Sequence, residues 1–354
     1  MIGFANSKIR HRCAYVLLLM ATSTQLASAQ GLDRVRDRNG MTSGKISKMT
    51  ALSVTLSKSG VDSKKPVEEI LNITFAGEPE NLTPAKRDTD AGRYARALEK
   101  LGGIEREAVD REVIRQEIDF LTTYCNVQLA LSGQGTLAGA EKQVSKFLSS
   151  NSKSYRVPAA IELLGNVMMA KQDYESARIQ FAKLGKAPTP YFKARSAILT
   201  GRSLQAEGQH QEAAAAFADA LNAAEGNAAA QTQVLEATLG RAVSQSALGD
   251  VDQATATVKK IIAEAITEQD DENVELLAQA YNALGDCYLQ AKQKKAANQA
   301  FLHVDLLFSA AASEHAKALF ELSRLWEDLG QTARARDAKQ RLQENYPGSR
   351  WAKQ

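Results

Sequence analysis

The chain has few of the residues that build disulfide scaffolds, aromatic cores or metal sites. Its 354 residues include three Cys, four His and seven Pro, and aromatic residues make up 6%. Three cysteines spread over this length do not supply a disulfide framework. The scarcity of aromatics, with alanine runs such as Ala213–Ala216, favours helices packed at short range over a β-sandwich core.

Long apolar runs are also absent, apart from one near the start. Cys13–Ala21 is apolar throughout, follows three basic residues and precedes the small residues Ala27-Ser28-Ala29. This pattern predicts a secretory signal peptide over residues 1–29, cleaved before Gln30. A membrane span needs about 20 apolar residues. We therefore expect a periplasmic or secreted protein with no stable membrane span after cleavage.

A net charge is missing too, once the leader is set aside. The whole chain has 44 Lys and Arg against 41 Asp and Glu, and three of the basic residues lie in the leader. The mature chain thus carries 41 of each sign. Because a nucleic-acid binder is expected to show a basic excess, we expect no nucleic-acid partner.

Familiar catalytic motifs are not present. There is no glycine-rich phosphate loop, no Gly-x-Ser-x-Gly elbow and no Cys-x-x-Cys pair. His303 and His315 flank a predicted turn and could meet Asp305 or Glu314 at a metal, but surface histidines are the preferred interpretation. We expect no enzyme activity, no cofactor and no metal; a stoichiometric metal in the purified protein would instead support a hydrolase.

Residues 30–77 differ in texture from the rest of the chain. Segments such as Ser53–Leu56 and Asn72–Phe75 alternate apolar and polar residues with a period of two, and Asn39-Gly40 is a tight-turn pair. We predict a small β-rich module of four or five strands. A bent, Sm-like barrel is one hypothesis for its form, and an irregular β-rich lead segment is the alternative.

The next two segments lead into a helical pattern. Residues 78–90 contain two prolines and six charges, which predicts a linker. Residues 91–150 are interpreted as an atypical helical capping region with one long helix over about 107–130. An array of repeats needs such a modified unit at its end.

A repeating helical hairpin is clearest at Val274–Phe308. Apolar or small residues recur there at spacings of three and one, followed by a polar break and a second amphipathic face. The positions that carry this hairpin are Tyr281, Leu284, Gly285, Tyr288, Ala297 and Phe301. They resemble the signature of a tetratricopeptide (TPR) repeat, which implies an α-solenoid.

The same unit recurs along the chain, which predicts a mainly α fold with a TPR-like array over 151–354. The small residues that mark its second helix are Ala97, Ala140, Ala177, Ala213, Ala254, Ala297 and Ala335. Their spacings, 36 to 43 residues, exceed the nominal 34 of a TPR. The ending Leu342–Ser349 resembles repeat endings in bacterial periplasmic TPR proteins such as the Tol–Pal-associated coordinator. We expect about six hairpins.

The TPR resemblance implies an exposed groove lined by the first helix of each hairpin. The expected groove residues are polar and of mixed sign: Asn166, Arg195, Arg202, Gln205, Glu236, Asn282, Asp286, Lys317 and Arg324. Arg195 and Arg202 lie two turns apart on one helix, so they are the expected contact for a carboxylate or an acidic peptide. A solvated surface without a ligand is the alternative for each residue.

These observations favour an exported, non-enzymatic scaffold or adaptor in the cell envelope. Its partner would be a protein or peptide, expected to be an envelope protein, held in the concave groove of the array. The alternative is a binder of cell-wall or envelope glycan, in which the β module recognises the polymer and the repeats act as a spacer. The identity of the partner and the oligomeric state are left open.

Overall fold

A computed structural model describes residues 31–267 and 274–354, so the predicted signal peptide lies outside the described residues. The described part opens with five strands and continues with fourteen α-helices. None of the described helices combines the length and apolarity that a bilayer crossing requires. A mainly helical fold with a small β-rich start is therefore confirmed.

The β module is one antiparallel sheet. Its strands are β1 Asp33–Asp37, β2 Gly40–Thr50, β3 Ser53–Lys58, β4 Val61–Pro66 and β5 Ile70–Thr74, in the order β4-β3-β2-β1-β5. A single 3-10 turn, Val67–Glu69, joins β4 to β5. Alternation places Val35, Val54 and Leu56 inside. The five strands confirm the predicted module; the closed barrel form stays a hypothesis, because no pairing of β4 with β5 occurs in the described sheet.

The helices form seven consecutive antiparallel pairs, one more than expected. The first four are α1 Leu82–Asp90, α2 Tyr94–Gly102, α3 Glu112–Leu131 and α4 Leu137–Ser150. The next five are α5 Val157–Ala170, α6 Tyr174–Gly185, α7 Pro190–Ala206, α8 His210–Ala224 and α9 Gln231–Ala247. The last five are α10 Val251–Thr267, α11 Val274–Gln290, α12 Lys294–Leu307, α13 Ala312–Asp328 and α14 Thr332–Asn345.

The predicted linker is wrong over most of its length. Residues 82–90 form α1, which packs against α2 and buries Leu82 and Ala85. The stretch around Ala97 therefore has a proper first helix, which lies in the segment that was expected to connect two units. Its two prolines misled the prediction, because Pro84 sits in the first helical turn, where a missing N–H costs no hydrogen bond. The long helix α3 begins at Glu112, later than expected.

Small residues hold each helical pair together. All seven alanines that mark the second helices lie on even-numbered helices, and each is at most 8% exposed. Opposite them, glycines meet phenylalanine rings: a Cβ at Gly285 would lie 2.4 Å from the Phe301 ring, and one at Gly165 would lie 2.1 Å from Phe181. No larger residue fits there without moving the ring. This close approach explains the TPR-like signature.

Each hairpin turn also follows one rule. The residue five positions before the marking alanine has a positive φ in every pair, as at Gly208 (78°) and Gly330 (72°). Gln172 (62°) and Lys292 (58°) adopt this left-handed conformation without being glycine. Because side chains with a Cβ disfavour it, these two turns carry local strain.

The β module packs directly on the first helices. Val35, Ile73 and Phe75 share one continuous apolar core with residues of α1 and α3. Arg111, just before α3, donates two hydrogen bonds to the buried carboxylate of Asp33, at 2.7 and 2.9 Å. The module and the array therefore share a hydrophobic core as well as a charged contact.

Candidate functional site

The candidate site is the surface along the first helices of the later hairpins, here called the odd-helix face. Consecutive odd-numbered helices contact one another from α7 to α13. Their polar residues recur at spacings of three or four, which places them on one side of each helix. The odd-helix face comprises Glu162, Asn166, Arg195, Arg202, Gln205, Glu236, Glu275, Gln279, Asn282, Asp286, Glu314, Lys317, Glu321 and Arg324.

Two arginines of α7 converge on one carboxylate of α9. Arg195 lies 2.7 Å and Arg202 lies 2.8 Å from the same Glu236 oxygen. Arg195 also pairs with Glu162 of α5, and Arg202 donates to the Gln279 side chain of α11 at 3.0 Å. Burial raises the pKa of Glu236, but the two arginines outweigh it and hold that pKa below its ordinary value.

This arrangement corrects the expected role of the two arginines. Their charge is already shared with Glu162 and Glu236, so they are not free to receive an acidic peptide. Glu236, expected to be exposed, is 9% exposed. Sequence spacing places the arginines on one helical face but gives no information about the neighbouring helix.

Further polar contacts join the next helices. Gln205 of α7 donates to the Gly240 carbonyl at 2.8 Å and to the Ser244 hydroxyl at 2.9 Å. Asn282 of α11 donates to the Glu314 carboxylate at 2.7 Å and is 1% exposed, so it is not the exposed residue that was expected. Lys317 of α13 forms an ion pair with Asp286 of α11.

The structure thus brings most of the predicted groove residues together, bonded to the neighbouring helix. Those with such partners are Arg195, Arg202, Gln205, Glu236, Asn282, Asp286 and Lys317. Asn166 is half-buried on α5, and the exposed Arg324 lies 5.4 Å from the centre of the Phe320 ring. These contacts hold the side chains in fixed orientations.

Sequence reasoning missed several carboxylates of the same face. Burial raises the pKa of Glu275, and the nearby Glu314 adds to the shift. Burial also raises the pKa of Glu321, and Asp286 contributes. Helical spacing could have found them, because Glu275 lies seven residues before Asn282 and Glu321 lies four after Lys317.

Counting both signs gives the face an acidic balance. It has six carboxylates, on Glu162, Glu236, Glu275, Asp286, Glu314 and Glu321, against four cations, on Arg195, Arg202, Lys317 and Arg324. The side-chain oxygen of Asn282 is buried and has no hydrogen-bond partner among the described residues. The face can therefore accept hydrogen bonds and positive charge more readily than it can donate them.

The histidines expected to flank a turn do not meet at a metal. His315 is buried and lies 2.8 Å from both Asp305 and the Tyr346 hydroxyl, while Arg341 also binds Asp305. His303 instead stacks on Tyr281, with ring centres 4.6 Å apart. Burial alone would raise the pKa of Asp305, but hydrogen bonds from His315 and Arg341 hold it below its ordinary value. This cluster joins α12, α13 and the end of α14.

The two cysteines and the possible metal ligands can also be located in the structure. Cys125 and Cys287 are both buried and unpaired. Burial raises the pKa of both thiols. Among residues 31–267 and 274–354, no group of three His, Cys, Asp or Glu side chains has the arrangement of a metal site.

Comparison with known proteins supports the repeat architecture. Residues 317–349, which cover most of α13 and α14, match the family model described as tetratricopeptide repeat. No curated protein matches the chain.

Three solved structures of similar architecture share little sequence with this chain. A Rap protein complexed with competence and sporulation factor has a TM-score of 0.53 at 13% identity, over 77% of this chain and 76% of that one. Aspartyl phosphate phosphatase F from Bacillus subtilis has a TM-score of 0.55 at 15% identity, over 77% and 70%. A tetratricopeptide repeat protein from Parabacteroides merdae has a TM-score of 0.48 at 16% identity, over 75% and 92%. The chain is a TPR-like α-solenoid, and its residues 317–349 carry a tetratricopeptide repeat.

Proposed function

We propose that the chain is an exported, non-enzymatic scaffold that binds a segment of a protein or peptide on the odd-helix face. The observation that carries this proposal is the row of side chains fixed across neighbouring helices, with more carboxylates than cations. Contacts such as Gln205 to Gly240 and Asn282 to Glu314 hold the row in place. Little side-chain entropy would then be lost on this side of an interface.

The acidic balance of the face defines the partner's chemistry. Since Glu162 and Glu236 already neutralise Arg195 and Arg202, the carboxylates of this face that form no ion pair within the described chain are Glu275, Glu314 and Glu321. A lysine or arginine side chain of the partner would offset the repulsion around these carboxylates. The partner is therefore a segment rich in basic side chains and backbone donors, rather than an acidic one.

Two further points support a binding role in the cell envelope. The Rap protein with a similar fold is complexed with competence and sporulation factor. The leader predicted over residues 1–29 favours export, and the ending Leu342–Ser349 resembles repeats of bacterial periplasmic TPR proteins. The partner would then be an envelope protein that presents a basic segment.

Display of random peptides against residues 30–354 tests the proposal. We expect the selected peptides to be enriched in Lys and Arg and to bind the purified chain reversibly in a fluorescence-polarisation assay. The variant Glu275→Gln with Glu314→Gln should weaken binding about three- to tenfold, as expected for two partly exposed ion pairs. Gln keeps the shape of each side chain and removes only its charge.

The control is a variant with the same loss of charge elsewhere. Glu212 and Asp219 are exposed on α8, an even-numbered helix, so Glu212→Gln with Asp219→Asn should leave peptide affinity unchanged. Selection of acidic or purely apolar peptides, or equal losses in both variants, would contradict binding on the odd-helix face.

A further inference from the structure

A second surface, on the β module, has a chemistry that the odd-helix face lacks. Antiparallel pairing places Arg34 opposite Ser43 on one side and Thr74 on the other, and Arg36 opposite Met41 and Asn72. Directly paired residues point to the same side of a sheet. Arg34 and Arg36 therefore lie at the centre of the outward face of β5, β1 and β2.

The positive charge of this outward face extends across the sheet. Lys45 follows Ser43 by two residues on β2, and Lys48 and Lys64 both pair with Thr55 of β3. The five cations are exposed, and within the described chain none of them forms an ion pair. Only one carboxylate, on Asp62 of β4, shares this side of the sheet.

The other strand carboxylates of the module point inward and have partners. Asp33 is bound by Arg111, and Asp37 is bound by Lys65 at 2.7 Å. Both aspartates have pKa values below the ordinary value, because these cations and backbone N–H groups stabilise the charged form against the opposing effect of burial. Because the aspartates of the strands point inward and most basic residues point outward, the positive charge of the module lies on one side of the sheet. Residues 31–77 hold eight Lys and Arg against five Asp and Glu.

Exposed apolar side chains lie among these cations. Met41, which pairs with Arg36, is 61% exposed. Leu71 lies at the irregularity in the pairing of β5 with β1, next to Arg36, and is 53% exposed. Leu32, which is 44% exposed, precedes β1 at the position that alternates outward with Arg34. Apolar groups interspersed with Lys and Arg are characteristic of surfaces that rest in the headgroup region of a bilayer.

Aromatic side chains are missing from this surface. The single aromatic residue of the module is Phe75, which is 2% exposed. Binding of single-stranded nucleic acid relies on aromatic rings that stack on the bases. The combination of cations and aliphatic side chains, with no ring available, favours a lipid surface over a nucleic acid.

We propose that the outward face of β5, β1 and β2 docks on an anionic lipid bilayer. Arg34, Arg36 and Lys45 would lie against lipid phosphates, while Met41 and Leu71 would enter the boundary between headgroups and acyl chains. The contact is peripheral and reversible. It uses a different surface from the odd-helix face, so the chain could hold a peptide while it rests on a membrane.

Co-sedimentation of residues 30–354 with vesicles tests this surface. The chain should bind vesicles that mix phosphatidylglycerol with phosphatidylcholine, should not bind pure phosphatidylcholine, and should dissociate as salt is added. Arg34→Gln with Arg36→Gln should lower the partition coefficient roughly 20- to 30-fold, since each basic residue near such a surface contributes about fivefold. Met41→Ser with Leu71→Ser should also weaken binding.

The control removes two exposed cations from the array. Lys142 and Lys146 lie on α4, so Lys142→Gln with Lys146→Gln makes the same change in net charge and should leave vesicle binding intact. Circular dichroism of every variant should match the unaltered chain. Equal losses in the two cation variants would overturn a specific face.

A parallel titration with single-stranded DNA separates the two polyanions. The proposal predicts weaker binding to DNA than to anionic vesicles, with no dependence on Met41 and Leu71. DNA binding that is lost in Arg34→Gln with Arg36→Gln, without any vesicle binding, would replace the lipid surface with a nucleic acid. Peptide binding on the odd-helix face is unaffected by either result.

Discussion

The β module and the helical array distribute charge in opposite ways. In the module, the aspartates Asp33 and Asp37 are buried and paired, while five outward-facing cations of the strands form no ion pair within the described chain. In the array, cations such as Arg195 and Arg202 are taken up by carboxylates across neighbouring helices, and the unmatched charge is negative. Residues 78–354 hold 33 basic and 36 acidic residues, against eight and five in the module. A net charge of zero can therefore conceal two faces of opposite sign.

Breaking the junction between the two regions should have the largest effect on stability. Arg111→Met leaves the carboxylate of Asp33, which is 1% exposed, without its cation. We expect a loss of about 3 kcal/mol in the free energy of unfolding, measured by urea denaturation. The module should also become more sensitive to protease than the array.

Arg115→Met, in the first turn of the helix that follows Arg111, is the matched control. Arg115 pairs with Glu112, whose side chain is 55% exposed, and donates to the Val109 and Asp110 carbonyls, so its loss should cost only about 1 kcal/mol. Similar losses in the two variants would mean that the contact with Asp33 does not hold the module on the array.

The second prediction concerns the packing of the array. A Cβ at Gly285 would lie 2.4 Å from the Phe301 ring, so Gly285→Ala should cost about 1–3 kcal/mol in urea denaturation. Gly102→Ala, in α2, meets no atom within 4 Å and should instead be neutral or slightly stabilising. If the two variants melt alike, the glycine–phenylalanine contact does not set the distance between the helices.

A third, smaller effect should come from a hairpin turn and have the opposite sign. Lys292 has a φ of 58°, a conformation that glycine adopts without steric cost. Lys292→Gly should therefore stabilise the chain by about 1 kcal/mol, seen as a higher melting temperature. Gly330→Ala, at the equivalent turn of the last pair, should destabilise it by a similar amount. A lower melting temperature for Lys292→Gly would show that its side chain stabilises the turn.

The smallest expected effect depends on pH. The pKa values of Glu275 and Glu321 are raised in the fold, so their stabilising contribution is complete below the unfolded value of 4.5 and is lost as pH rises through the folded value. Glu275→Gln with Glu321→Gln should slightly raise the free energy of unfolding at pH 7, but not at pH 4. Module aspartates such as Asp33 behave in the opposite way, losing their contribution only as pH falls below 3.8.

The helical array is the region whose architecture the sequence predicted best. Helical periodicity and the seven marking alanines predicted the array, because small residues at regular intervals allow two helices to pack closely. In the unit around Ala254, Ala242 stands at the position that Gly285 has in the unit around Ala297. The structure shows that Gly240 faces Phe217 of the preceding pair, with a Cβ–ring distance of 2.4 Å. That glycine serves the contact between hairpins rather than within one.

The sequence predicted the positions of the candidate site residues but not the contacts between them. The positions on each odd-numbered helix followed from helical spacing, but the ion pairs between helices depend on the packing of one hairpin against the next. The convergence of Arg195 and Arg202 on Glu236 is one such contact, and it is the reason that we propose a basic partner rather than an acidic one. Likewise, the net charge did not indicate the cationic face of the sheet. Alternation along a strand places acidic and basic residues on opposite sides of the sheet, whereas the net charge adds them together.

Hydrogen-exchange mass spectrometry, with and without a selected basic peptide, tests the central claim most directly. The proposal places the peptide on the odd-helix face, so bound peptide should protect segments of α7, α9, α11 and α13. Strands β1, β2 and β5 should exchange at unchanged rates. Protection of those strands, or of the even-numbered helices alone, would contradict a binding face built from the first helix of each hairpin.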